Sequence, residues 1–161
     1  MRVEELSLDS RAMRNGHTAR ERGQEADEQP VSFDTDHGCF GCSVSNAAGL
    51  QLRFRRRGEL IVADYEIAER FQGAPGIAHG GIVATLLDEI SCAEAAVLRN
   101  RHVVTGELSV RYRRPCPVAV PFALTAKVTA EHSRYFSVEA ELRRAGELLA
   151  RSTGKFFFTK G

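Results

Sequence analysis

The sequence is short of the features that most quickly assign a function. No run in its 161 residues approaches the about 18 consecutive apolar residues of a membrane-crossing helix. The opening stretch MRVEELSLDSRAMRNG has no apolar centre, so no secretory leader is expected and a cytoplasmic location is. Neither sign of charge dominates. The formal net charge is +1, which gives no electrostatic case for nucleic acid or a membrane surface as partner. Cysteine is scarce, at four residues, and does not make a disulfide framework. Cys39 and Cys42 form one CxxC with His37 just before it, but a structural zinc normally needs four ligands, and no second CxxC or HxxxH is present. Nor does a helix-forming segment follow, as a thioredoxin-like site would want. The motif reads as a packed turn with thiols of no chemical role and no metal. No Ser-His-Asp triad is legible.

What is present is an ordinary single-domain chain. At this length, 43% apolar residues suffice for one core without staples. Residues 1–30 hold five Arg, seven acidic residues and no aromatics, too little apolar surface to offset ordering. Residues 1–37 therefore read as a charged, loosely attached arm, and 38–161 as the folded domain. Leu50, Leu52 and Phe54 alternate with Gln51, Arg53 and Arg55, a half-buried strand. Leu60–Ile67 reads as a second strand. Residues 69–81 are a loop by their Gly and Pro content. Ile82–Leu98 lacks both breakers, and its apolar positions recur at helical spacing. Four segments follow, Val103–Arg113, Phe122–Glu131, Tyr135–Arg143 and Glu147–Thr159, each strand-like and long enough to predict a curved sheet. The expected class is α+β, in the order β-β-α-β-β-β-β, with one apolar helix wrapped by a sheet.

The informative stretch is His79-Gly80-Gly81 followed by Ile82-Val83-Ala84-Thr85-Leu86-Leu87-Asp88-Glu89. A helix N-terminus leaves about four N–H groups without intrahelical partners and carries partial positive charge. Two glycines there leave those donors open, so a carbonyl oxygen would be polarised and its developing charge stabilised. Asp88 follows two turns later. At about 1.5 Å per residue its Cα lies about 12 Å along the axis from Gly80, too far to serve a carbonyl at its own helix's N-terminus. A second copy with an antiparallel helix would bring the two together, which favours a two-fold dimer with shared sites. Asp88 is also a poor helix former in an apolar neighbourhood, whereas Glu89 reads as a solvated face residue. His79 by itself reads as a brace for the loop.

Gly-Ile-Ala-His-Gly-Gly-Ile-Val-Ala-Thr-Leu-Leu-Asp-Glu (76–89) resembles the signature of hotdog-fold acyl-CoA thioesterases of the phenylacetate-degradation type. Cys39-Phe40-Gly41-Cys42 with Asn46 and Gly49-Leu50, and Thr105-Gly106-Glu107-Leu108-Ser109-Val110-Arg111-Tyr112-Arg113-Arg114-Pro115, resemble two further pieces of that pattern. The likeness spans about residues 38–159. It implies a long helix wrapped by an antiparallel sheet, and hydrolysis of an acyl-CoA to a free acid and CoA without a cofactor or metal. It also implies homo-oligomers, either dimers or tetramers built from them. By resemblance the Gly80 amide, aided by Gly81, polarises the carbonyl, and Asp88 is general base or nucleophile. Gln72 matches a residue that orients water or the leaving sulfur, Thr105 one that holds the attacking water, and His79 the motif histidine. Arg99, Arg101, Arg111, Arg113 and Arg114 offer a landing surface for CoA phosphates, with Arg111 and Arg113 expected on one strand face. Two alternatives stay open: a hotdog enoyl-thioester hydratase or dehydratase using His79, and a non-enzymatic acyl-CoA sensor.

Overall fold

The computed structural model describes residues 28–31, 38–100 and 102–159. It holds one long helix, α1 (Gly80–Arg99), against one seven-stranded sheet. The strands are β1 (Glu28–Val31), β2 (Phe54–Arg57), β3 (Leu60–Glu66), β4 (Val103–Tyr112), β5 (Pro121–Glu131), β6 (Tyr135–Arg144) and β7 (Glu147–Phe158). Their spatial order is β1-β2-β3-β5-β6-β7-β4, and every neighbouring pair is antiparallel. This is the hotdog arrangement.

Period-2 burial explains how the sheet holds the helix. Phe122, Leu124 and Ala126 of β5, Phe136, Val138, Ala140 and Leu142 of β6, and Ser152, Gly154 and Phe156 of β7 turn to one buried face. From α1, Val83, Leu86, Leu87 and Ile90 meet them with at most 1% of their surface exposed. Each such side chain contributes about 1.5–3 kcal/mol on burial. Glu94 is a charged residue buried among them. Its carboxylate accepts the main-chain N–H of Ile61 in β3 at 2.8 Å and of Val128 in β5 at 3.4 Å. Asn100 ends the helix in the left-handed region (φ 47°), its amide bonded to Ala96 O.

The element order differs from expectation at the front. Glu28–Val31, inside the stretch read as an arm, is an edge strand paired with β2. Charge holds it there: the Glu28 carboxylate pairs with the guanidinium groups of Arg55 and Arg57, which hold its acid below the usual range. The remaining calls on 1–27 and 32–37 lie outside the described residues. Leu50 and Leu52 are buried as the alternation implies, but Gln51 takes a left-handed φ of 53° and the strand proper begins at Phe54.

Candidate active site

The loop before α1 is fixed by its own main chain and by the segment after β4. Gly73 N bonds to Ile77 O at 2.8 Å and His79 N to Phe71 O at 2.9 Å, while Ala78 N reaches Cys116 O at 2.7 Å. His79 then acts as the N-cap of α1. Its Nδ1 accepts the Gly81 N–H at 3.0 Å, which places the ring proton on Nε2. Its carbonyl accepts from Ile82 N at 2.9 Å and Val83 N at 3.3 Å. Three of the four orphan amides are thereby satisfied. The fourth, Gly80 N–H, has no acceptor among the described residues. The Gly81 N–H, expected to aid it, donates to the histidine ring in this structure.

Gly80 lines a cavity of about 380 Å³ together with Ile77, Val83, Tyr112 and Arg113. The Tyr112 hydroxyl donates to Gly80 O at 2.7 Å and ties the end of β4 to the start of the helix. Tyr112 was not singled out in the sequence. Its only signal there is its place in the Thr105–Pro115 stretch. Gln72 is folded onto its own loop, its Oε1 accepting Gly76 N–H at 3.0 Å, and does not line that cavity.

Two turns along α1, Asp88 is half-buried, unlike Leu86, Leu87 and Ile90, which lie on the core side. Thr105 of β4 donates its hydroxyl to Asp88 Oδ1 at 2.7 Å. Burial raises the Asp88 pKa above its ordinary value, and the Thr105 hydrogen bond partly opposes that. Cys92, one helical turn beyond Asp88 on the same face, lies with Sγ 3.5 Å from Thr105 Oγ1. Because the threonine proton goes to Asp88, the thiol donates here. Burial pushes its pKa up to about 12, which favours the protonated thiol.

A β-bulge aims Thr105. In β4 and β7, Thr105 faces Phe156 and Glu107 faces the adjacent Lys155, leaving Gly106 as an extra residue. Without it Thr105 would share the face of Glu107, whose carboxylate pairs outward with Lys155 at 2.6 Å. A side chain at residue 106 would put its Cβ 2.5 Å from the Phe157 ring.

The candidate residues thus form two groups in one chain: Gly80, Tyr112 and Arg113 around the cavity, and Asp88, Thr105 and Cys92 outside its lining. The arginines divide. β4 ends at Tyr112, Arg113 and Arg114 line the cavity, and Arg111 stands opposite Arg151 on the exposed face. Arg114 also pairs with Glu147. Arg101 and the side chain of Arg99 lie outside the described residues. Glu89 is not a solvated face residue. It accepts from Cys39 Sγ at 3.3 Å, and Gly41 packs on its side chain.

Residues 75–150 match the family model described as Thioesterase superfamily. That match covers slightly less than half of the 161 residues. Among curated proteins, the chain is 28% identical over 100 residues to acyl-coenzyme A thioesterase THEM4 of Xenopus laevis, covering 62% of this chain and 45% of that protein. It is 32% identical over 87 residues to acyl-coenzyme A thioesterase THEM5 of Mus musculus, covering 53% and 35%. The chain thus spans less than half the length of these relatives. A solved thioesterase superfamily protein superimposes with a TM-score of 0.65 at 27% identity, covering 71% of this chain and 60% of the other. Among the described residues no helix is long and apolar enough to cross a membrane.

Proposed function

We propose that this chain is an acyl-CoA thioesterase of the thioesterase superfamily whose site is shared between two copies. Asp88 of one protomer would act with the Gly80 amide of the other. The observation that carries the reading is the unsatisfied Gly80 N–H at the helix start, beside a cavity that Asp88 of the same chain does not line. The names of the curated relatives supply the substrate class.

A second copy is supported by what one copy leaves open. β4 is an edge strand of 10 residues with one side unpaired in the sheet. Leu98, Val104 and Tyr112, beside it on α1 and β4, are each about half exposed (46%, 54% and 50%). Pairing about a two-fold axis would cover that edge and set each Asp88 toward the partner's helix start.

In this reading Asp88 takes a proton from water. The water oxygen bonds to the thioester carbon, and the carbonyl electrons move to oxygen, where the partner subunit's Gly80 N–H donates to the oxyanion. Collapse restores the carbonyl and breaks the carbon–sulfur bond, and the CoA thiolate recovers the proton from Asp88. A base with a raised pKa suits this role, and the Thr105 hydroxyl on Oδ1 leaves Oδ2 for the water. Arg113 at the cavity offers a cation to CoA phosphates. Gln72 would help only after its side chain leaves Gly76.

The test is thiol release, followed with DTNB, across short, long, phenylacetyl and hydroxybenzoyl acyl-CoAs. Turnover by the wild type and its loss in Asp88→Ala support the reading; equal turnover by folded Asp88→Ala overturns it. Hydration of crotonyl-CoA, read as loss of enoyl absorbance, would favour the hydratase instead. The engagement of His79 Nδ1 at the helix cap counts against that alternative. Tight acyl-CoA binding without thiol release would favour a sensor.

A further inference from the structure

The turn carrying Cys39 and Cys42 does more than pack. Ser43 N bonds back to Cys39 O at 3.2 Å, and Gly41 N donates to Cys39 Sγ at 3.3 Å, the main-chain amide-to-sulfur contact that supports a bound thiolate. Leu50 N to Phe40 O at 2.7 Å and Leu52 N to Gly41 O at 2.9 Å pin the turn to the chain leading into β2. Opposite it, α1 contributes Glu89. The two sulfurs and a Glu89 carboxylate oxygen all lie within 4.8 Å of one another, and all three residues are half-buried.

Residue 41 shows how closely the helix and turn are fitted. A Cβ there would lie 2.1 Å from Glu89 Cδ, so any other side chain would displace the carboxylate. Without an ion, the Cys39 thiol donates to the Glu89 carboxylate at 3.3 Å, so sulfur and carboxylate already face one point. A divalent cation there would make both thiols thiolates. Two sulfurs and one carboxylate oxygen suit a tetrahedral, thiophilic ion with its fourth position left to water. Ligand atoms around such an ion are about 3.5 Å apart, so modest side-chain rotation closes the set.

We propose that Cys39, Cys42 and Glu89 bind one thiophilic divalent cation, zinc foremost, which clamps the CxxC turn to α1 one residue from Asp88. On binding, each cysteine gives its thiol proton to solvent. Two protons are released per ion and no electron moves. The sequence hides the site because its third ligand lies 47 residues after Cys42.

The test uses the full-length chain, reduced, stripped with a chelator and titrated anaerobically with Co²⁺. The expected result is sulfur-to-cobalt charge-transfer absorption that saturates at one ion per chain. Two protons are released as Co²⁺ binds, and one equivalent of Zn²⁺ then displaces it with no further proton release. Cys39→Ser and Cys42→Ser should each remove most of that absorption and weaken Zn²⁺ binding about tenfold or more. Glu89→Gln should keep the absorption but weaken binding, with circular dichroism showing an intact fold. Should a cysteine variant fail to fold, the wild-type titration and Glu89→Gln still decide. The proposal is overturned if reduced wild type gives no charge-transfer band, or if the band survives in both cysteine variants. It is also overturned if Glu89→Gln binds as tightly as wild type.

Discussion

Thr105, in an edge strand, donates its hydroxyl to Asp88, in the central helix, at 2.7 Å. That contact bears on the charge of the carboxylate as well as its direction. Burial favours the protonated acid, and the threonine hydrogen bond favours the ionised form. Removing the bond therefore raises the Asp88 pKa further. If ionised Asp88 is the base, the acid limb of kcat/KM against pH lies above the ordinary carboxylate range. In Thr105→Val it should move to higher pH, while Thr105→Ser leaves it in place. Measured at equal zinc content, an unmoved limb in Thr105→Val would separate Asp88 from the rate.

Asp88 also bears on stability. The folded protein holds this carboxylate out of water more than the unfolded chain does, and its charged form is penalised accordingly. Asp88→Asn keeps the shape and an oxygen to accept from Thr105 but carries no charge. Its midpoint of thermal unfolding at neutral pH should rise, at about 2–4 °C per kcal/mol for a chain of this size. Its turnover should fall about 10²- to 10⁴-fold. Calorimetry beside the thiol assay reads both. A drop in midpoint together with unchanged turnover would indicate a structural acid.

The contact also marks where sequence reading stopped. α1 and the four long strands after it were legible because their apolar residues keep a 3.6- or 2-residue period that the core enforces, as in Phe136, Val138, Ala140 and Leu142. Thr105 breaks the rule. Strict alternation groups it with Glu107 and Arg111, and only the extra residue Gly106 turns it toward the helix. The bulge shifts the core-facing phase from Val103 to Leu108 and Val110, but too few residues precede it for the shift to be read. β1 was missed for a related reason. Glu28, Gln29, Pro30 and Val31 bury little, and ladder bonds and ion pairs to Arg55 and Arg57 hold them instead. Glu89 was read as solvated because nothing near it in sequence names the thiols it meets. His79 and the Gly80–Asp88 spacing were readable because helix geometry alone relates them.

Glu94 gives a prediction independent of the chemistry. It is 3% exposed and serves two donors, Ile61 N and Val128 N, joining β3 and β5 to the helix. Glutamine has one oxygen, so in Glu94→Gln an NH₂ group meets one of those N–H groups and a buried donor goes unpaired. The expected loss is about 1–3 kcal/mol, read by urea unfolding. KM and kcat below the transition should be unchanged, because Glu94 touches no proposed site residue. Wild-type stability in this variant would mean that water has replaced the lost acceptor.

The sharpest test of the shared site removes one hydrogen. Gly80 is the first residue of α1, a position where proline suits the helix. His79 already has the extended conformation (φ −61°, ψ 134°) that a following proline requires. A Cβ on residue 80 would have Tyr112 as its nearest neighbour, at ordinary contact distances from 3.5 Å. Gly80→Pro should therefore fold, keep its helix and lose the single amide assigned to the oxyanion, with kcat falling about 10²- to 10³-fold. If Gly80 of one copy works with Asp88 of the other, mixing Gly80→Pro with Asp88→Ala under subunit exchange rebuilds one intact site in each mixed dimer. At equal amounts half of the dimers are mixed, each with one of two sites intact, so activity should recover to about a quarter of wild type. With both groups in the same chain, no mixed dimer has a complete site, and the mixture stays as inactive as its parts.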